Sequence, residues 1–309
     1  MVMKVSTSMF FDKASKQLGS IQGSLAKTQI QLSTGKQINR PSDAPDKSSL
    51  ITRLQSEMTR QASYQGNLNA VNVRLQAEDT ALRNTSNVMY RFKELAVQAA
   101  NDTLSTADRN TISFEMIQLR EQILSMANSQ DSNGNYLFAG SRVAQEPFGA
   151  DAKGRVVYQG DQSRMLVPVG DNRQMNLNIP GSDVFVRLVR DDGKGNKIGV
   201  GFFQALSDMV DAVKNTDRPN IQRGIKELDR MQQGISDASA QLGTDMNVVD
   251  SQGGVLDEIT LRLKTTLSDV QDLDYTEAIT KMNKDQLALE SAQSSFAKIS
   301  KLTLFSYIN

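Results

Sequence analysis

Few residues in this chain have the type and spacing that chemistry needs. Ser33-Thr34-Gly35-Lys36 reads like the end of a phosphate-binding loop, where backbone N–H groups cradle a phosphate and a lysine follows. The earlier glycine is missing at the required spacing, however, and Gln37 stands where a Ser or Thr would hold magnesium. Asp131-Ser132-Asn133-Gly134-Asn135 opens like a calcium loop, but Tyr136 occupies the position that needs Gly and Arg142 the one that needs Glu, so a plain turn is expected. Gly193, Gly195, Gly199 and Gly201 have the wrong intervals for a dinucleotide fingerprint and fall in an expected hairpin. Asp191-Asp192 and Asp257-Glu258 are the remaining acid and base candidates, and a carboxylate-dependent hydrolase carrying helical arms is the reading they would support. Adjacent acids on polar loops and helix starts are ordinarily just solvated.

Counting excludes most other catalysis. The 309 residues include no His, no Cys and no Trp, so there is no imidazole base, thiolate nucleophile, disulfide or Cys-ligated zinc. No catalytic, cofactor-binding or metal residue is singled out, and the chain is expected not to be an enzyme. Lys and Arg total 35 and so do Asp and Glu, which leaves no whole-chain positive field to collect nucleic acid. No apolar run approaches the roughly 18 residues of a spanning helix, so no membrane insertion is expected. The first residues, MVMKVSTSMFFDKASK, lack the apolar stretch of a secretory signal; any export is expected to proceed without a cleaved one.

The elements that position these residues fall into three zones. Residues 131–204 carry 11 of the 20 glycines and 3 of the 6 prolines, while residues 255–309 carry none of either. The middle is therefore expected to be loop and strand and the two ends helix. Short strands are expected at Val156–Tyr158, Met165–Val169, Gln174–Ile179 and Val184–Arg190, and a hairpin turn at Asp191–Asn196 before Lys197–Val200. In the outer zones apolar residues repeat every seven. Phe11, Leu18, Leu25 and Leu32 form one row with Ala14, Ile21 and Thr28 beside it. Tyr275, Met282, Leu289 and Phe296 form another, with Ala278, Ala292 and Ile299 beside it and Asp285 interrupting. Further in, Leu54, Leu68, Leu75, Leu82, Met89 and Ala96 share a register broken at Gln61, and Ile112 to Met126 and Ile221 to Leu242 show the same three-and-four spacing. For the inner helices, a bundle core within the chain and a contact between chains are equally compatible with these stripes. At the ends, assembly is favoured: a narrow seam stabilises a lone helix poorly, and residues 255–309 as one helix would extend roughly 80 Å.

Three blocks then carry a resemblance. Leu32-Ser33-Thr34-Gly35-Lys36-Gln37-Ile38-Asn39-Arg40-Pro41-Ser42-Asp43-Ala44-Pro45 is similar to the amino-terminal signature of the flagellin superfamily, and its Arg-Pro-Ser-Asp-x-Pro ending resembles the hook-associated type. Asn135-Tyr136-Leu137-Phe138-Ala139-Gly140-Ser141 with Pro147-Phe148, and Tyr275-Thr276-Glu277-Ala278-Ile279 running on to Leu304-Phe305-Ser306-Tyr307-Ile308, agree with it in order along the chain. Physically, Gly35 can end the first helix, and Pro41 and Pro45 force a non-helical link before the next.

The fold this implies is mainly α, with long amino- and carboxyl-terminal helices pairing as a coiled-coil-like bundle and a small β-rich domain inserted in the middle. Residues 1–45 and 256–309 would form the assembly region, 46–130 and 205–255 a helical rod, and 131–204 a β-rich surface insert. The resemblance implies an extracellular structural component of the bacterial flagellum, an adaptor ring between a hook-side junction protein and the flagellin filament, exported by the flagellar type III route. A minor flagellin forming filament is the alternative. Implied partners are the hook-side junction protein, flagellin, other copies of the chain in a ring, and a cytoplasmic flagellar export chaperone. Phe11, Leu18, Leu25, Leu32, Tyr275, Met282, Leu289, Phe296 and Ile299 are the expected assembly interface; Leu289, Phe296, Ile299, Leu302 and Phe305 are the expected chaperone contacts.

Overall fold

The computed structural model describes the backbone of residues 2–191 and 197–308, and the side chains of residue 9, residues 11–190 and residues 197–298. Helices α1 (Val2–Thr34), α2 (Pro45–Ala99) and α3 (Thr106–Ala127) are followed by three hairpins, then by α5 (Phe202–Lys214), α6 (Arg218–Gln271) and α7 (Tyr275–Ile308). The hairpin strands are β1 (Phe148–Ala150), β2 (Val156–Tyr158), β3 (Leu166–Gly170), β4 (Arg173–Asn176), β5 (Leu188–Asp191) and β6 (Lys197–Val200), with the one-turn helix α4 (Gly181–Val184) between β4 and β5. Contacts divide the chain into two compact units, residues 1–60 with 259–309, and residues 61–258.

In the larger unit the inner apolar stripes form a core within the chain. Leu82, Met89, Phe92 and Ala96 of α2 pack in one cluster with Ile112, Met116 and Ile123 of α3, Leu206 and Val213 of α5, and Ile221, Leu228 and Ile235 of α6. Phe138, Phe148, Phe185, Phe202 and Phe203 belong to that same cluster, with edge-on ring contacts such as Phe148 to Phe185 at 5.0 Å. Residues from the 131–204 stretch therefore share a core with the helices on either side. A second cluster joins Leu68, Val71 and Leu75 of α2 to Val169 of β3, Met175 of β4, and Leu242, Val249 and Leu256 of α6.

The three hairpins are separate two-stranded antiparallel pairs, with registers such as Phe148↔Tyr158, Val167↔Met175 and Leu188↔Val200. An isolated hairpin is marginal in water, so each lays apolar residues on the helices: Phe148, Val169 with Met175, and Leu188 with Val200 are all buried. The expected strand at Gln174–Ile179 stops at Asn176 because buried Asn178 turns its side chain to the backbone, accepting from Met165 N at 2.7 Å and donating to Ser163 O at 3.2 Å. The expected strand at Val184–Arg190 begins only at Leu188: Pro180 caps a helical turn over Gly181–Val184, which Phe185 N closes on Gly181 O at 2.8 Å. Phe148–Ala150 was not expected as a strand, since three residues around Gly149 give no alternation to read. The turn at 192–196 lies outside the described residues.

Two polar clusters, each with a buried glutamate, link these layers. Arg190 of β5 donates from Nε and Nη2 to the Glu227 carboxylate of α6 at 2.8 and 2.7 Å, and from Nη1 to Asp208 of α5. On α2, Glu78 is fully buried; its Oε1 accepts a long 3.4 Å bond from Ile179 N, and Arg74 Nε stands 3.5 Å away without a hydrogen bond. Arg74 meanwhile donates to the Tyr136 and Leu137 carbonyls at 3.0 and 2.9 Å. Burial outweighs this loosely placed cation and pushes the Glu78 carboxyl from 4.5 up to about 8. The folded chain then holds one more proton than the unfolded chain between those values. Stability from this site is present in full below the ordinary value and is lost as pH rises through the folded one, at up to about 1.4 kcal/mol per pH unit. Thermal midpoints should therefore fall from about pH 5 to about pH 8, and Glu78→Gln should flatten that slope. Parallel melting curves for the two chains across that range would rule the account out.

Candidate assembly interface

In the smaller unit α1 and α7 run antiparallel and lay their seams on each other. Phe11 meets Phe296 edge to face with ring centres 5.3 Å apart. Midway, Ser24 Oγ donates to the Asp285 carboxylate at 2.7 Å, which supplies a partner for the one polar interruption of the α7 seam. Thr28 is wholly buried and returns its hydroxyl to Ser24 O at 3.0 Å. Leu18, Leu25, Leu32, Met282 and Leu289 are half-buried along this seam, and Ala278 is buried.

The two helix breaks lie against each other. Leu273 N donates to Gly35 O at 3.0 Å and Gln37 N to Gln271 O at 2.8 Å, a short antiparallel bridge between the loops after α1 and α6. Gly35 has the left-handed φ of +67°, and a Cβ there would lie 2.8 Å from the Tyr275 hydroxyl. The Leu32–Pro45 block continues as a 3-10 turn at Pro41–Asp43. Asp43 accepts from Lys27 Nζ at 2.9 Å and from Arg40 N at 3.0 Å, and these bonds, the lysine's first, hold its carboxyl below the ordinary range. Lys27 thereby ties α1 to the turn, and Ile38 is buried at the break with Ile51 and Leu54 close to fully covered.

Three features depart from the expected site. Tyr275 keeps the seven-residue register yet is 52% exposed, because it is the first residue of α7 and its hydroxyl turns to Gly35. The Gly- and Pro-free stretch after Val255 is not one helix: Asp274 caps α7, its Oδ1 accepting from Thr276 N at 2.8 Å and Glu277 N at 3.1 Å. Asp274-Tyr275-Thr276-Glu277 was the signal for that break, an N-cap residue with a glutamate three positions on. Ile38 is a buried member that the seven-residue rows do not contain, since it lies in a loop where no helical period marks it, whereas Ala278 is buried in the second row of the seam. The side chains of Ile299, Leu302 and Phe305 lie outside the described residues.

This geometry is that of a surface for packing. The seam covers one face of each terminal helix, while Met9, Ile30, Ile279 and Leu287 of the same two helices remain 71%, 45%, 46% and 66% exposed. The calcium-like loop shows the chemistry of a turn: Asp131 Oδ1 accepts from Asn133 N at 2.8 Å and Asn135 N at 2.9 Å. Among the described residues no three His, Cys, Asp or Glu side chains are grouped as metal ligands, and no helix is long and apolar enough to cross a membrane.

Comparison with known proteins follows the same outline. Residues 5–143 match the bacterial flagellin N-terminal helical region and residues 225–308 the bacterial flagellin C-terminal helical region, together more than two thirds of the chain. Flagellar hook-associated protein 3 of Escherichia coli K12 is 25% identical, over 98% of this chain and 99% of that protein. Flagellin FlaB1 of Treponema pallidum is 25% identical over 92% of each. The crystal structure of Xanthomonas campestris FlgL, at 24% identity, superposes with a TM-score of 0.61 over 71% of this chain and 99% of that one. With both helical regions matched in order at the two ends of the chain, and with the long terminal helices seen in the structure, this protein belongs to the bacterial flagellin superfamily.

Proposed function

We propose that this chain is a structural component of the flagellar hook–filament junction, an adaptor between a hook-side junction protein and the flagellin filament. The observation that carries this reading is the end-to-end correspondence with hook-associated protein 3, which leaves almost no residue of either chain unmatched. Flagellin itself matches over a smaller share, so a minor flagellin is the second reading. Immunogold labelling of isolated flagella separates the two: a single short band at the hook end of the filament is expected, and label along the filament would overturn the adaptor reading. In this role copies associate as a ring, with the α1–α7 seam and the exposed apolar residues beside it supplying contacts to neighbours.

Export is proposed to use the flagellar type III route without cleavage of a leader, with a cytoplasmic chaperone covering the α7 seam before secretion. Leu289 and Phe296 are the proposed contacts that lie among the described residues; Ile299 keeps the second row of the seam, and Leu302 and Phe305 add apolar residues one position before its next two places, Thr303 and Ser306. Exposed together in the cytoplasm, such residues would promote self-association. The full-length chain should therefore co-purify with a small protein from its native cytoplasm, and Leu289→Asp with Phe296→Asp should reduce that recovery at least about tenfold, since each buries a charge in the contact. Equal recovery with and without the substitutions would refute the proposed contact.

A further inference from the structure

Arg74 and Glu78 leave a buried ion pair unclosed. Arg74 Nε and Glu78 Oε2 are both buried and neither makes a hydrogen bond, although Nε stands only 3.5 Å from the other carboxyl oxygen, Oε1. The two residues lie four apart on α2, a spacing at which helix side chains meet, so reach does not keep them apart. A competing use of the guanidinium does. Its Nη2 donates to the Tyr136 carbonyl at 3.0 Å and to the Leu137 carbonyl at 2.9 Å, and its Nη1 reaches Asp131 at 3.5 Å. The guanidinium is a rigid planar fork with Nε and Nη2 along one edge, so laying that edge on a carboxylate takes Nη2 off both carbonyls.

The proton on Glu78 decides which use prevails. A neutral carboxyl needs no counter-ion, and the guanidinium stays with the loop. An ionised one would be a buried charge holding one 3.4 Å bond from Ile179 N and an unmet second oxygen, which is costly unless a cation closes on it. On α2 the charged group facing Glu78 is Arg74, and on α6 it is Asp245, whose charge opposes ionisation. Beyond Ile179, Arg164 is paired with Asp183 at 2.9 Å and is already engaged. Asp131, which faces Arg74, stays ionised: against its burial, the bonds from Asn135 and Asn133 hold it below the ordinary carboxylate range. The chain has no histidine or cysteine, and burial raises Glu78 to about 8, so Glu78 is the member of this group that changes charge near neutral pH. Ile179 also lines a cavity of about 210 Å³ with Leu75 and Asp245, where water can take up the departing proton.

We propose that Arg74 is a two-position latch worked by the Glu78 proton: with the proton in place it pins the Asn135–Ser141 loop to α2, and with the proton gone it turns onto Glu78 and frees that loop. The proton passes from the carboxyl to water, and the positive guanidinium then neutralises the carboxylate left behind. Opening of the loop reaches the core, because Leu137 and Phe138 are buried and the Phe138 carbonyl accepts from Tyr158 and Gly181. The latch adds a place to the pH dependence of stability derived above: the loosening begins at one loop. It belongs to the subunit and stands whichever flagellar role the chain has.

Amide exchange on the full-length chain tests it. Tyr136 N and Leu137 N are bonded to Val143 O and Ser129 O, both at 2.9 Å, so they report the closed loop. Their exchange rates, taken relative to those of Met116 and Ile123 in the same sample, are freed of the solvent's own pH dependence. That ratio should rise about tenfold or more between about pH 6 and about pH 9, in step with titration of the Glu78 carboxyl carbon signal. In Glu78→Gln, a neutral isostere that keeps the protonated arrangement, the ratio should stay flat; in Arg74→Gln it should be high throughout, without a step. A flat ratio in the natural chain while Glu78 titrates would mean that Glu78 ionises without moving Arg74, and a carboxyl that does not titrate in this range would mean that the latch is never worked. Either result overturns the proposal, as does the same step in Glu78→Gln. If a variant fails to fold, the exchange ratio and carboxyl signal of the natural chain still decide.

Discussion

A Gly140→Ala chain should unfold about 3 kcal/mol more easily than the natural sequence, the sum of a left-handed backbone penalty and a packing clash. Gly140 has a φ of +71°, and a Cβ there would overlap Asp161 Oδ1 and the Asp161 carbonyl oxygen. The first contact involves a side chain that could rotate; the second is backbone and cannot be relieved by a rotamer. Nor is Asp161 free to retreat. Its carboxylate accepts from Ser141 N and Ser163 N at 2.8 and 3.0 Å, and the bonds from Ser141, hydroxyl first, hold its pKa down at about 2. Tyr158 donates its hydroxyl to the Asp161 and Phe138 carbonyls at 2.7 and 3.0 Å, and Gly181 N donates to that same Phe138 carbonyl at 2.9 Å. Moving one strand of this lacing moves Phe138, which is wholly buried among the aromatic rings of the main core. Urea denaturation measures the effect. A loss no larger than about 1 kcal/mol, the left-handed penalty alone, would show that the loop shifts freely and that the lacing does not constrain it.

The asymmetry between what periodicity reveals and what it hides runs through this molecule. Leu68, Leu75, Leu82, Met89 and Ala96 are legible because a buried helix face repeats in the sequence, and all five are buried where that repeat places them. The two terminal seams are legible for the same reason, down to Asp285 as their flaw. What the repeat cannot contain is the identity of the partner. Ser24 answers Asp285 from 261 residues away, and only the fold brings the two together. The break at Asp272–Asp274 is hidden for a different reason. It carries neither Gly nor Pro, and its mark is a capping aspartate whose bonds are to its own backbone. Glu78 shows the limit most sharply. Its place, three residues after Leu75 and four before Leu82, puts it on the buried face of the α2 register, but the sequence does not show its surroundings: a single long bond from Ile179 N, and an Arg74 that a loop claims for its own carbonyls.

Leu289→Asp should leave the unfolding of residues 61–258 unchanged while abolishing attachment of filaments to the hook. Those residues hold both buried clusters described above, and none of their members lies on α1 or α7. Leu289 is only half-buried in the α1–α7 seam, so an aspartate there keeps much of its hydration in the single chain and costs little. In the proposed ring the same position would be covered by neighbours, and an unpaired charge without water would cost several kcal/mol. The seam itself is modest: a single row of apolar residues on each helix, with Met9, Ile30, Ile279 and Leu287 left exposed alongside. Isolated helices with so narrow a dry face are marginal in water, so the pairing is expected to open often in the free subunit and to close firmly only among neighbours. Amide exchange on the free chain should accordingly be fast across residues 11–32 and 275–298 and slow across Leu68–Met89. If the terminal helices instead exchange as slowly as Leu68–Met89, then α1 and α7 are a stable part of the subunit before assembly, and the loss of attachment on Leu289→Asp must be assigned to unfolding of the subunit rather than to the interface between copies.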